Sequence, residues 1–141
     1  MMHRVVFTLL LLSIIGCSVP TRRFPQECKE YVWSAMIAAA KTPDYSSKDP
    51  RKRWIVMEND VDVNNDRGII VVRRKLSRSL KLPRQNEQID HREWFFVIKL
   101  LPNNVPTVTF DVTESQLVPV RTIDEADRYF SQVDDLLHPT E

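Results

Sequence analysis

Glycine is almost missing from this chain. There are two in 141 residues, and beyond Gly16 the only one is Gly68. Phosphate-cradling loops and oxyanion turns place glycine where backbone must approach a ligand closely or take a positive φ. No G-x-G-x-x-G, G-x-x-x-x-G-K-S/T or G-x-S-x-G pattern can be written here, which weighs against nucleotide binding through such loops and against the common serine hydrolases. Histidine is equally sparse. His3, His91 and His138 stand apart, with no H-x-x-x-H pair and no His/Cys cluster, so a zinc site has nothing to build on. Nothing places His91 or His138 beside an activated serine either; His91 reads as a surface residue at the start of a strand. Charge of one sign is also lacking. Twenty Lys and Arg against nineteen Asp and Glu give a net charge of +1, so no bulk attraction to nucleic acid is implied.

One stretch imitates a metal loop. Asp60, Asp62, Asn64 and Asp66 alternate as an EF-hand loop begins. However, the sixth and twelfth places, which need Gly and a bidentate Glu, hold Asn65 and Val71. A strand entering a turn gives the same alternation. No metal, no cofactor and no catalytic residue is expected, and the chain does not read as an enzyme.

The informative stretch lies at the start. Met1-Met2-His3-Arg4 supplies a positive beginning, Val5 to Ile15 is an apolar run, and Gly16-Cys17 follows at once. This is the layout of an export signal. The run is too short to cross a hydrocarbon core, which takes about 20 residues as a helix. Ile14-Ile15-Gly16-Cys17 resembles the lipobox of bacterial lipoproteins, although that family favours Leu and a small residue where the two isoleucines stand. The resemblance implies cleavage before Cys17, a diacylglyceryl group on its thiol, further acylation such as palmitate, and residence in the cell envelope. By the same resemblance, an aspartate after the cysteine would favour the inner membrane; Ser18 stands there, so the outer membrane, facing the periplasm, is expected. The membrane, through the lipid anchor, and an envelope protein are the expected partners, with no nucleic acid. Cys28 is then the one thiol left in the mature chain, and it reads as a small buried residue on a helix face.

The implied organisation is a signal peptide at 1–16, a tether at 17–25, a single domain at 26–138 and a tail at 139–141. The tether carries Pro20 and Pro25, which favour extended backbone. Residues 26–41 read as a helix, with Cys28, Val32, Ala35 and Ala39 on one stripe. Residues 53–63 and 68–76 read as strands joined by Asn64-Asn65-Asp66-Arg67-Gly68, a hairpin loop. Residues 77–90 read as a long, mobile connection. Residues 92–101 read as the strongest strand, with Trp94, Phe96, Ile98 and Leu100 on one face. Residues 105–112 return with Val108, Phe110 and Val112 inward. Residues 114–120 read as a short edge strand. Thr122 and Glu125 read as a capping box that opens a last helix with Ile123, Ala126, Phe130, Val133 and Leu137 on its stripe. Trp33, Trp54 and Trp94 each sit on an apolar element and read as core.

Helix, two hairpins and helix predict an α+β fold, a four-stranded antiparallel sheet with both helices on one face. That order on a lipid-anchored domain resembles the helix-grip modules of outer-membrane assembly lipoproteins, and no site residue is carried over from it. Arg73, Arg74, Lys75, Arg78, Lys81 and Arg84 form the densest basic run, with leucines interleaved. They are candidates for contact with an anionic membrane surface. Two functions follow as expectations. One is a lipid-anchored, non-catalytic binding or assembly module. The other is a carrier of a lipid or other apolar ligand, held in a groove between helix and sheet and lined by Trp94, Phe96 and Phe110.

Overall fold

Alternating apolar residues in the middle of the chain build a sheet with one buried face. The computed structural model describes residues 18–113 and 119–140. Within them lie β1 (Thr21–Arg23), α1 (Lys29–Lys41), β2 (Ile55–Asn64), β3 (Ile69–Leu80), β4 (Gln88–Leu101), β5 (Thr107–Val112) and α2 (Pro119–Leu137). The sheet has five strands in the order β1-β5-β4-β3-β2, and every pairing is antiparallel. The α+β class with two helices is as the sequence predicts. The fifth strand is not, because β1 comes from the expected tether. Arg22 pairs with Val108, and the Phe110 amide donates to the Pro20 carbonyl at 2.9 Å. Three residues of proline-flanked, polar sequence carry no apolar alternation, and only the free edge of β5 makes them a strand.

Register places Ile70, Val72 and Leu76 of β3, Trp94, Phe96, Ile98 and Leu100 of β4, and Val108 and Phe110 of β5 on one buried face. Val32, Ala35, Met36, Ala39 and Ala40 of α1 and Ala126, Tyr129, Phe130 and Val133 of α2 complete the same core. Small residues let α1 lie close, while aromatics fill the space under α2. Phe110 stacks on Phe96 at 4.6 Å between ring centroids and meets Phe130 edge-on at 6.4 Å. Such pairs add roughly 0.5–1.5 kcal/mol beyond the area they bury. The opposite face of the sheet is open to solvent and carries Glu58, Asp60, Arg73, Lys75 and Lys99. The β2 edge is guarded against pairing with another chain by these outward charges and by a bulge between Val56 and Glu58.

Gly68 is where glycine is required. Its φ is +64°, and a Cβ there would meet the Leu100 carbonyl oxygen at 3.1 Å. The Leu100 amide donates to the Gly68 carbonyl at 2.9 Å, tying the β2–β3 turn to β4.

Three further expectations need correction, and a fourth lies mostly outside the described residues. Residues 77–90 are not a long connection: the β3–β4 ladder runs out to Leu80 paired with Gln88. This stretch leaves the core, so Ser77, Arg78 and Ser79 carry no apolar alternation to reveal it. Thr122 does not cap α2, which begins at Pro119; Glu125 lies inside the helix and has other partners. The edge strand expected at 114–120 falls outside the described residues over 114–118, and Pro119 and Val120 belong to α2. Cys28 is the exposed N-cap of α1 and not a buried stripe residue.

Candidate functional site

Two groups of arginines sit side by side at one end of the core. The first is built around Arg74, which occupies an inward position of β3 opposite Trp94 and is 0 % exposed. A guanidinium so placed needs partners on all sides, and it has them. Its Nε donates to Asn59 Oδ1 at 2.8 Å, Nη1 to the Tyr45 hydroxyl at 3.0 Å, and Nη2 to the Ala40 carbonyl at 2.9 Å. Ala40 is in the last turn of α1, where carbonyls lack helical partners and the dipole favours a cation. Tyr45 in turn donates to Glu125 Oε1 at 2.6 Å. Glu125 is 6 % exposed and also lies 3.7 Å from Arg74 Nη1. Arg128, one turn along α2, closes the network with Nη2 at 2.8 Å from the same carboxylate oxygen and its guanidinium 4.1 Å from the Tyr45 ring centroid. Burial, with the Glu125 charge beside it, pushes the Tyr45 hydroxyl well above the usual phenol range. Burial alone would lower the Arg128 pKa, but Glu125 and Tyr45 hold it above the ordinary value.

The second group lines an open cleft of about 580 Å³ next to this network. The loop after α1 contributes Asp44, Ser46, Arg51, Lys52 and Trp54; the sheet contributes Arg78, Arg92 and Trp94; α2 contributes Arg121, Asp124 and Asp127. Six cations and four carboxylates line it, counting Glu125 and Arg128 of the first network. The Arg78 and Arg92 guanidinium carbons are each 4.4 Å from the Trp54 ring centroid, a cation–π arrangement. Arg78 is held by Asp90 at 2.9 Å and donates to the Arg51 carbonyl. Arg92 differs. Among the described residues, Arg92, Arg121 and Lys52 have no carboxylate within 4 Å. Partial burial lowers the Arg92 pKa, and the neighbouring Arg121 and Arg78 charges lower it further, against a smaller opposing pull from Glu125 and Tyr45. The repulsion is partly offset for Arg78 by Asp90. Trp94 is a wall of this cleft and is fully buried. Its Nε1 is, among the described residues, the one buried side-chain polar atom without a hydrogen-bond partner.

The basic run expected at a membrane surface is divided by strand alternation. Arg73 and Lys75 point to the open face; Arg73 lies 5.5 Å from the Phe95 ring centroid and Lys75 pairs with Glu58 at 2.8 Å. Arg74 is inside the protein and has no surface to offer. Arg78 is in the cleft. Lys81 and Arg84 are exposed in the loop between β3 and β4, with Arg84 at a φ of +65°. Trp54, expected in the core, is half-buried in the cleft wall. Sequence reasoning missed Arg92, Arg121 and Lys52 as a group, because they lie on a strand, a helix and a loop. Arginine at an inward strand position was the signal available for Arg74 and Arg92.

His91 is exposed, opposite Ser77 on the outer face of the sheet. His138 contacts Glu27 at 2.6 Å near the end of α2. Among the described residues, no group of three or more His, Cys, Asp and Glu side chains is placed to hold a metal. Cys17 lies outside the described residues. No helix among them is long and apolar enough to cross a membrane. No family model, curated protein or solved structure matches the chain.

Proposed function

We propose that the chain is a lipid-anchored cell-envelope protein whose folded domain is a non-catalytic binding module, with the arginine cleft as its working surface. The observation that carries the binding role is the set of Arg92, Arg121 and Lys52, crowded in one cleft with no carboxylate within 4 Å among the described residues. Like charge in a partly desolvated cleft, offset only in part by the carboxylates that share it, costs stability, and an anionic ligand or an acidic patch on an envelope partner would relieve it. The carrier reading has less support, because Trp94, Phe96 and Phe110 are packed into a filled interface between helices and sheet.

The anchor reading rests on Ile14-Ile15-Gly16-Cys17 and implies attachment at Cys17 in the outer membrane, facing the periplasm. The described chain bears on how far an anchor could stand off. The chain is already hydrogen-bonded to β5 at Pro20. The span from Cys17 to Pro20 is therefore about 11 Å at full extension, far shorter than the expected tether, and an acylated Cys17 would hold the domain close to the lipid.

Mass spectrometry of the protein purified from membranes is expected to find diacylglyceryl on Cys17 as the new N-terminal residue. Globomycin, which blocks lipoprotein signal cleavage, should cause the precursor to accumulate. An unmodified Cys17 and processing indifferent to globomycin would sink the anchor reading.

A further inference from the structure

The cleft contains more specific information than a general surplus of positive charge. Arg92 reaches it from β4, Arg121 from the first turns of α2 and Lys52 from the loop after α1. Three elements distant in sequence thus bring separate cations to one concavity. Arg78 is committed to Asp90 and Arg128 to Glu125, which leaves these three available. The fully buried Trp94 backs the cleft without offering a group to it. Several separate cations suit a tetrahedral oxyanion, which presents three or more acceptor oxygens and up to two charges. A carboxylate has two oxygens and one charge and would leave part of this set unused.

We propose that the cleft binds a phosphate group between Arg92, Arg121 and Lys52. The inference rests on the binding-module reading and names its ligand class. A cleft of about 580 Å³ is in the range of small-molecule sites and has room for more than a bare phosphate. Asp124 and Asp127 line its α2 side. They disfavour a second phosphate there and favour hydroxyl or ammonium groups, so the ligand is a phosphate monoester or diester of a polar alcohol. A lipid headgroup and a free phosphate ester share that chemistry. Strand direction brings the headgroup within reach. Going back from Thr21, paired with Thr109, β1 runs toward Val112, and Val112 lies opposite Phe96, next to Trp94 and Arg92 along β4. The described start of the chain therefore runs toward the end of the sheet that carries the cleft.

The test is a fluorescence titration, reading the cleft tryptophans Trp54 and Trp94, of the full chain purified in non-ionic micelles at constant ionic strength. Inorganic phosphate, glycerol 1-phosphate and dihexanoyl phosphatidylglycerol are the probes, with sodium acetate and sodium chloride as controls. The expected result is a saturable response to at least one phosphate ester, weakened tenfold or more in Arg92→Met and in Arg121→Met. A response to glycerol 1-phosphate assigns a free ester, and a response to the lipid alone assigns a headgroup; both support the proposal. Arg121 is exposed, so Arg121→Met remains decisive if Arg92→Met fails to fold. Phosphate probes that behave like chloride, or responses unchanged in both variants, overturn it. The anchor is judged separately, because Cys17 acylation is read by mass spectrometry on the same preparation. A cleft blind to phosphate beside an acylated Cys17 removes the ligand assignment and leaves the anchored module standing.

Discussion

Arg74 and Arg92 occupy comparable positions and have opposite fates. Both point inward from adjacent strands, Arg74 opposite Trp94 and Arg92 opposite Leu76. Arg74 is fully buried and hydrogen-bonded to Asn59, Tyr45 and Ala40. Arg92 is half-buried against Trp54 and Trp94, with Arg78 and Arg121 as charged neighbours and no carboxylate within 4 Å among the described residues. The two differ in burial and, beyond that, in compensation. A buried charge with each of its nitrogens hydrogen-bonded belongs to the fold. One left beside other cations at a solvent-filled cleft is explained better by something the domain meets than by the domain itself.

The sharpest way to break this contrast is to remove Arg74. Arg74→Met leaves Asn59 Oδ1 without its donor, takes one of two donors from the Ala40 carbonyl and removes a buried cation from beside Glu125. A loss of about 3–5 kcal/mol is expected by denaturant unfolding. A loss well below 1 kcal/mol would mean that the network is incidental. Next in size is Tyr45→Phe. It removes the hydroxyl that both accepts from Arg74 and donates to Glu125, and should cost about 1–3 kcal/mol.

A pH titration examines the same network without a substitution. Burial raises the pKa of both Tyr45 and Tyr129. Tyr129 is held inside by its bond to the Met36 carbonyl at 2.9 Å. An acid whose folded pKa is raised stabilises the fold below its unfolded pKa, about 10 for tyrosine, and loses that contribution as pH rises toward the folded value. The unfolding midpoint should therefore decline above about pH 10, and the decline should be shallower in Tyr45→Phe. An identical alkaline slope in the two proteins would detach Tyr45 from the buried charge network.

Smaller effects are expected in the second group. Arg92→Met keeps an apolar stem against Trp54 and removes a repelled charge, so its stability should match or exceed that of the wild type while the cleft's response to anions falls. Lys75→Ala, which breaks an exposed pair with Glu58 on the open face, should leave the unfolding curve unchanged.

The parts of the fold legible in the sequence are those where one chain segment carries its own pattern. Trp94-Phe95-Phe96-Val97-Ile98 alternates, Gly68 ends a turn that only a positive φ can make, and Ala38-Ala39-Ala40 marks a close-packed helix. What stayed hidden depends on distant partners. β1 is a strand because β5 has a free edge. The outer β3–β4 ladder lacks apolar alternation because it has left the core. Glu125, spaced correctly for a cap on Thr122, answers instead to Arg74, Tyr45 and Arg128. The basic run Arg73-Arg74-Lys75 looked like a single surface, and the two-residue period of the strand sends its members to opposite faces. The cleft was least visible of all, since Lys52, Arg92 and Arg121 share no local spacing.

The most direct measurement is the unfolding midpoint of the wild type and of Arg92→Met, taken side by side across a sodium chloride series. Salt screens like-charge repulsion between exposed and half-buried groups. The wild type should gain stability with salt, Arg92→Met should gain less, and the two should converge at high ionic strength. A variant well below the wild type at every salt concentration, beside a wild type that loses stability as salt rises, would place Arg92 with Arg74 among the cations that hold the fold. That result would contradict the reading of the cleft as a binding site.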